Sequence, residues 1–119
     1  MKKLIILAVA IMAVMLTACS EEEQSTYTFK NDSSSDGNSL TVYLKEYNDS
    51  GENIHTNTLT GITEGTSETY TAYDDAVKVK VYLKVNSVYR WIQQVYYLEI
   101  GGHITITLTD TTLIGNEEP

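Results

Sequence analysis

Residues 76–85 read AVKVKVYLKV, in which apolar and polar side chains alternate without a break from Val77 to Val85. Successive side chains of a β-strand point to opposite faces, so this period of two predicts a strand with one buried and one exposed face. The apolar positions are Val77, Val79, Val81, Leu83 and Val85, and the polar positions are Lys78, Lys80, Tyr82 and Lys84. We expect this strand to lie at the centre of the fold.

Similar alternation recurs along the chain, and no segment after residue 18 has the sustained i, i+3, i+4 apolar spacing of a helix. Turn-forming residues separate the candidate strands, which are abundant in Thr, Val, Ile and Tyr. These features predict an all-β fold, an antiparallel β-sandwich of about seven or eight strands with immunoglobulin-like or transthyretin-like topology. A small closed barrel is the alternative. The candidate strands are Tyr27–Phe29, Leu40–Lys45, Ile54–Leu59, Thr66–Tyr70, Ala76–Val85, Val88–Ile92, Val95–Ile100 and His103–Asp110.

Two tight turns suggest how the last strands connect. Asn86-Ser87 is suited to a hairpin after the Val-rich strand, and Gly101-Gly102 is a strong two-residue hairpin signal. We therefore expect residues 76–85, 88–100 and 103–110 to form a meander that carries most of the core. Its predicted centre comprises Val79, Val81, Leu83, Trp91, Leu98, Ile104 and Ile106.

The N-terminus has the organisation of a secretion signal. Lys2 and Lys3 precede Leu4–Leu16, an apolar run of 13 residues. A helix needs about 20 apolar residues to cross a bilayer, so this run is too short to span one and has the size of a signal-peptide core. We predict a cleaved signal peptide over residues 1–18.

The residues at the end of this run indicate lipidation. Leu16-Thr17-Ala18-Cys19 resembles a bacterial lipobox, which implies cleavage before Cys19 and attachment of a diacylglycerol and a further palmitate-like acyl chain to that cysteine. Two or more acyl chains anchor a protein stably, since each buried CH₂ contributes about 0.8 kcal/mol. The alternative is an ordinary secretory signal with a chance cysteine. The predicted partner of this end of the chain is the membrane, through its N-terminal lipid.

The residues that follow Cys19 indicate a location. Ser20-Glu21-Glu22-Glu23 resembles the acidic signal that exports lipoproteins of Bacteroidetes to the outside of the outer membrane, which implies a lipid-anchored protein at the cell surface. The alternative is a solvated tether on a lipoprotein that faces the periplasm. We predict a lipidated acidic tether over residues 19–25, the β-sandwich domain over 26–114 and an acidic tail over 115–119.

Charge and composition exclude several functions. Without residues 1–18 the chain has six basic and sixteen acidic residues, a net charge of −10. Such a chain is poorly suited to nucleic acid or to anionic lipid, both of which require clustered Lys and Arg. Because Cys19 is the only cysteine, no disulfide is expected within the domain.

Signals for catalysis and metal binding are weak. There is no Gly-x-Ser-x-Gly motif, and His55 and His103 are the only histidines, without the short spacing of a zinc site. Asp32–Gly37 begins like a calcium loop, but the twelfth position is Tyr43 instead of glutamate, so we interpret the segment as a turn. We predict no catalytic residue, no metal and no cofactor. A hydrolase with an unrecognised carboxylate pair is the remaining enzymatic hypothesis.

Tyrosine is unusually frequent, with nine Tyr against one Phe. Tyrosine is enriched at recognition surfaces because it offers a large contact area at low entropic cost. The possible binding face comprises Tyr43, Tyr47, Tyr82, Tyr97, Lys78, Lys80 and Lys84. These features predict a non-catalytic binding or accessory module for a protein or a glycan. The second hypothesis is a periplasm-facing structural subunit of an envelope or secretion-system complex.

Overall fold

A computed structural model describes residues 24–34 and 40–119. The predicted signal peptide, Cys19 and the export signal lie outside the described residues. Within them no helix is long and apolar enough to cross a membrane. The described strands are β1 (Thr26–Asn31), β2 (Leu40–Tyr47), β3 (Asn53–Thr60), β4 (Ser67–Thr71), β5 (Lys78–Val85), β6 (Val88–Ile92), β7 (Tyr96–Tyr97), β8 (His103–Leu108) and β9 (Ile114–Gly115).

The strands form two sheets. The large sheet has the order β9-β6-β5-β2-β3, with the short β7 also paired to β5, and the small sheet has the order β4-β1-β8. The number of strands exceeds the prediction because residues 88–100 are divided into β6 and β7 and because Ile114–Gly115 adds a strand at the edge.

The core lies between the two sheets. Tyr27 and Phe29 of β1 and Ile106 of β8 face Leu44 and Val81 of the large sheet, and all five side chains are inaccessible to solvent. Each side chain of this size contributes about 1.5–3 kcal/mol when it leaves water. The all-β sandwich predicted from the sequence is confirmed.

Strand β5 has the orientation that its alternation predicts. Val79, Val81 and Leu83 are buried, while Lys78, Lys80, Tyr82 and Lys84 lie on the opposite face. Strand β5 pairs with β2 along its whole length and with β6 and β7 on its other side, so it occupies the middle of the large sheet.

The last step of the predicted meander is wrong. Gly101-Gly102 does not close a hairpin onto β7: the chain crosses to the small sheet, where β8 pairs in parallel with β1. The Thr26 amide donates to the Gly102 carbonyl at 3.0 Å at the start of this pairing, while Gly101 has a φ of 72°. The positive φ that a glycine allows reverses the chain without dictating which strand it joins. Crossing places Ile106 beside Phe29, where the core needs an apolar residue.

The predicted position of Trp91 is also wrong. Trp91 pairs with Tyr82, whose side chain points away from the core, so the indole lies on the outer face of the large sheet. The neighbouring Ile92 is buried in its place, at 1% exposure. Leu98 and Ile104, also predicted to be central, are partly buried at the edge of the core.

Candidate binding face

The outer face of the large sheet gathers aromatic and cationic side chains. We call it the tyrosine–lysine face, and it contains all seven residues that the sequence singled out for binding. Its members are Tyr43, Lys45, Tyr47, Lys78, Lys80, Tyr82, Lys84, Tyr89, Trp91 and Tyr97.

Aromatic rings form the centre of this face. Tyr43, Tyr82 and Trp91 lie side by side on three adjacent strands, with ring centroids 6.0 Å apart for the first pair and 4.5 Å for the second. Tyr89 stacks on Tyr82 at 5.2 Å with an angle of 16° between the planes. Such contacts contribute about 0.5–1.5 kcal/mol each beyond the buried area, so the rings support one another in a fixed arrangement.

Lysine side chains lie over these rings. The Lys45 ammonium is 5.3 Å from the centre of Tyr82, Lys80 is 4.8 Å from Tyr47, and Lys84 is 5.6 Å from Tyr89. Each cation–π contact is worth about 0.5–1 kcal/mol at an exposed site. The rings therefore hold the lysines on the face while the ammonium groups remain available to an anion.

The lysines also repel one another. Lys45 and Lys80 are directly paired on neighbouring antiparallel strands, and like charges in that position are destabilising. Lys78 and Lys84 belong to the same face, so four of the six basic residues after residue 18 are gathered here, in a chain whose net charge is strongly negative. This face is electrostatically suited to a negatively charged partner.

The predicted acidic tail lies against this face. Gly115 of β9 pairs with Trp91, and the side-chain amide of Gln93 donates to the Glu117 carbonyl at 2.7 Å. The Glu118 carboxylate then lies 2.7 Å from the Lys80 ammonium. It also accepts a hydrogen bond from the hydroxyl of Tyr47.

These contacts affect Tyr47. Burial raises the pKa of the Tyr47 hydroxyl, and the negative charge and hydrogen bond of Glu118 raise that pKa further. The neutral hydroxyl therefore remains a hydrogen-bond donor beside the Lys80 ammonium. Together they form a site for one carboxylate, which Glu118 occupies.

A second polar cluster is buried between the sheets. The Glu46 side chain is fully buried, its Oε2 accepts from the Tyr27 hydroxyl at 2.6 Å and from the Asn57 amide at 3.2 Å, and its Oε1 accepts from the Tyr73 backbone N–H at 2.9 Å. Burial, followed by the Glu46 contact, raises the pKa of Tyr27 far above its ordinary value. Since solvent does not reach this carboxylate, the cluster joins the two sheets and offers no substrate site.

The two histidines have local partners. His103 contacts the hydroxyls of Thr26 and Thr28 through its two ring nitrogens, at 2.7 and 3.2 Å. His55 stacks on Tyr73 with ring centres 4.3 Å apart, and its Nε2 is 3.0 Å from the Asn57 side chain. The Thr26 hydroxyl lies within hydrogen-bond reach of His103, but the other ring nitrogen contacts the Thr28 hydroxyl in place of the orienting group that an activated nucleophile requires.

The loop that resembles a calcium site is described only in part, because Asp36 and Gly37 lie outside the described residues. Asp32 is 3.6 Å from Lys30, and Asp110 accepts hydrogen bonds from the backbone and hydroxyl of Ser34, both at 2.8 Å. Over residues 24–34 and 40–119 there is no group of three His, Cys, Asp or Glu side chains placed to hold a metal ion.

Sequence reasoning missed Tyr89, Trp91 and the tail residue Glu118, and the predicted set also left out Lys45, which shares the alternation of Tyr43 and Tyr47. The first two were within reach, because Trp91 and Leu98 differ by an odd number of residues and so could not both face inward along one regular strand. Glu118 gave no such signal, since an acidic tail has no periodicity that would place it on a sheet.

Comparisons of this chain with protein-family models, with curated proteins and with solved structures find no match, so the site rests on its own geometry.

Proposed function

We propose that this chain is a small lipoprotein of the outer membrane, displayed at the cell surface, whose domain is a non-catalytic binding module. Its binding surface is the tyrosine–lysine face, and its partner is a protein. The observation that carries the proposal is the concentration of four lysines and a cluster of rings on one face of an otherwise acidic chain. Large rigid side chains with cationic neighbours are typical of recognition surfaces.

The packing of the rings favours a protein over a glycan. A sugar binds an aromatic residue by stacking on an open ring face, whereas Tyr82 has Tyr89 stacked on it and Trp91 and Lys45 packed around it. Hydroxyls and ammonium groups surround these rings, and Tyr89 keeps 44% of its surface exposed beside them. Those groups suit the carboxylates and carbonyls of a polypeptide.

Site-specific crosslinking on cells tests the binding surface. A photoreactive amino acid replaces Lys84 in the full-length protein, and the matched control carries it at Lys30, on the outer face of the small sheet. We expect a discrete crosslinked protein from position 84 and none from position 30. Equal yields from both positions, or no product from either, would contradict the proposed binding surface.

The lipid anchor is tested separately. Cells fed an alkyne analogue of palmitate should label the wild-type protein and not the Cys19→Ala variant. Proteinase added to intact cells should degrade the domain if it is displayed outward. Label that persists in Cys19→Ala argues against the lipobox interpretation, and complete protection from proteinase argues for a periplasm-facing subunit.

A further inference from the structure

We infer that Tyr47 and Lys80 form a carboxylate-binding site for an acidic peptide segment of the partner, and that Glu118 of the chain's own tail occupies this site until the partner displaces it. The inference rests on the proposed function, because it assigns a ligand chemistry to the tyrosine–lysine face.

The first argument is the geometry of the occupant. Glu118 makes a contact of 2.7 Å with the Lys80 ammonium and a hydrogen bond with the Tyr47 hydroxyl, which are the contacts that a glutamate or aspartate of a partner would make. The Lys80 side chain is only 12% exposed and Tyr47 only 6%, so the site is largely desolvated. A charged contact is stronger in such surroundings than at an open surface.

The second argument is that the occupant is held weakly. Glu118 remains 45% exposed, whereas the group it contacts is nearly buried. Apart from Glu118, the tail is held by two residues paired at the edge of the large sheet, Ile114 and Gly115, and by the hydrogen bond from Gln93 to the Glu117 carbonyl. Terminal segments with few buried contacts open at low free energy. The site is therefore occupied without being blocked permanently.

The third argument is the charge that the tail leaves unmatched. Glu118 contacts Lys80, whereas neither Lys45 nor Lys78 forms an ion pair within the described residues, although both lie on the same face as Lys80. A peptide with several acidic residues would neutralise more of these ammonium groups than Glu118 does alone. Charge complementarity thus favours displacement of the tail by a polyacidic segment.

The site has an internal reporter. Trp91 is the only tryptophan of the chain, it pairs with Gly115 at the base of the tail, and its ring lies 5.5 Å from the Lys45 ammonium. Displacement of the tail changes the surroundings of the indole. Tryptophan fluorescence therefore follows binding without an added label.

The test titrates the full-length protein, in mild detergent, with poly-glutamate and, as controls, with poly-lysine and an oligogalacturonate. We expect poly-glutamate alone to change Trp91 emission. Glu118→Gln should tighten binding about two- to fivefold, because the ion pair between the tail and Lys80 no longer competes with the added peptide. Glu64→Gln, the same change in an exposed loop between β3 and β4, should leave the affinity unchanged.

Removal of the Lys80 ammonium group should weaken the binding of poly-glutamate, the opposite of the effect of Glu118→Gln. We expect Lys80→Gln to weaken binding by at least about threefold, and Lys30→Gln on the other sheet to have little effect. Because the Lys80 side chain is nearly buried, Lys45→Gln serves as a second variant, and circular dichroism checks that each variant is folded. Loss of binding in Lys80→Gln or Lys45→Gln, with Lys30→Gln unaffected, supports the site.

Three results would overturn the inference. Equal affinities of wild type and Glu118→Gln would show that the tail does not compete. Equal losses of affinity in Lys80→Gln and Lys30→Gln would indicate unspecific charge attraction. A response of Trp91 emission to oligogalacturonate without one to poly-glutamate would indicate a glycan site. Each of these leaves crosslinking from position 84 unaffected, so failure here is distinguishable from failure of the proposed function.

Discussion

The two outer faces of this sandwich cover the same core and yet differ in almost every side chain. The large sheet presents Tyr, Trp and Lys, whereas the small sheet presents mainly short hydroxyl side chains, with one His and one Lys among them, in three rows across its strands. Those rows are Thr71–Thr26–His103, Thr69–Thr28–Thr105 and Ser67–Lys30–Thr107.

The two faces differ in whether their polar and charged side chains find partners on the same face. On the small sheet the hydroxyls of Thr28 and Thr69 are 2.7 Å apart, and Thr26 contacts His103 at the same distance, so polar groups pair with their neighbours. On the large sheet Lys45 and Lys80 are neighbours of like charge that need an anion from elsewhere. One face is internally matched, whereas the other carries neighbouring charges of the same sign.

The largest effect we predict concerns the cluster that joins the sheets beneath both faces. Glu46→Ala removes the acceptor for Tyr27, Asn57 and the Tyr73 amide and leaves these donors without it in the interior. We expect a loss of about 2–4 kcal/mol in the free energy of unfolding, because buried unpaired donors retain their full desolvation cost. Urea denaturation followed by Trp91 fluorescence measures it.

Changes on the faces themselves provide the control for this prediction. Thr105→Ala, on the exposed side of β8, should alter the free energy of unfolding by less than about 0.5 kcal/mol. If Glu46→Ala cost no more than Thr105→Ala, the buried carboxylate would not be joining the sheets.

The second prediction concerns how the stability that this cluster provides depends on pH. The pKa of Tyr27 is raised in the folded state, first by burial and then by Glu46, so its stabilising contribution is complete below the ordinary value of 10.0 and is lost as pH rises above it. Above pH 10 the unfolded chain releases this proton and the folded one retains it. Stability should fall by up to about 1.4 kcal/mol per pH unit from this residue.

Tyr27→Phe isolates that contribution. The variant is less stable at neutral pH, because Glu46 loses its hydroxyl donor, but its stability should decline less steeply between pH 10 and the alkaline unfolding transition. Urea midpoints measured at several pH values provide the comparison. If the stabilities of wild type and variant declined in parallel, the pKa of Tyr27 would not differ between the folded and unfolded states.

These features differ in how far the sequence could predict them. The faces of β2 and β5 follow from alternation alone, since a period of two determines which side chains share a face. Six of the seven predicted binding residues therefore share the outer face of β2 and β5, and the seventh, Tyr97, joins them because β7 pairs with β5. Lys45 belongs to the same alternation as Tyr43 and Tyr47, and it contacts the rings as those neighbours do.

What depends on the arrangement of strands could not be predicted in this way. The sequence of β2 gives no sign that Glu46 is buried. Its burial is explained only by the hydroxyl that Tyr27, from the other sheet, donates to it. Gly101-Gly102 allows either a hairpin or a crossing, and the choice depends on β1, which is about 70 residues earlier and needs a neighbour on its open side. Local patterns carry no information about such distant pairings.

The third prediction compares two ion pairs, one on each face. Glu118 and Lys80 are 2.7 Å apart around a nearly buried ammonium, whereas Lys30 and Asp32 are 3.6 Å apart and almost half exposed. We expect Glu118→Gln to cost about 0.5–1 kcal/mol and Asp32→Asn to cost about 0–0.5 kcal/mol, because solvent screens the exposed pair more strongly.

A double-mutant cycle with Lys80→Gln measures the coupling on the large sheet, and high salt should reduce it. The matched cycle with Lys30→Gln does the same on the small sheet. Equal coupling energies in the two cycles would remove the electrostatic contrast between the faces.

The smallest effect lies at the end of the small sheet, where Asp110 follows β8 and Ser34 follows β1. Hydrogen bonds from the Ser34 backbone and hydroxyl lower the pKa of Asp110, so its contribution is present above the ordinary value of 3.8 and disappears as pH falls below it. We expect Asp110→Asn to lower the melting temperature slightly at pH 6 and to approach wild type as the pH falls through the lowered pKa of Asp110, because both side chains are then uncharged. Ser34→Ala removes the hydroxyl and keeps the backbone donor, so it should give an intermediate shift at pH 6. Because the Asp110 carboxylate is exposed, solvent screens its contacts, and the shift should be smaller than that of Glu118→Gln. A larger shift would contradict this ranking of the two contacts.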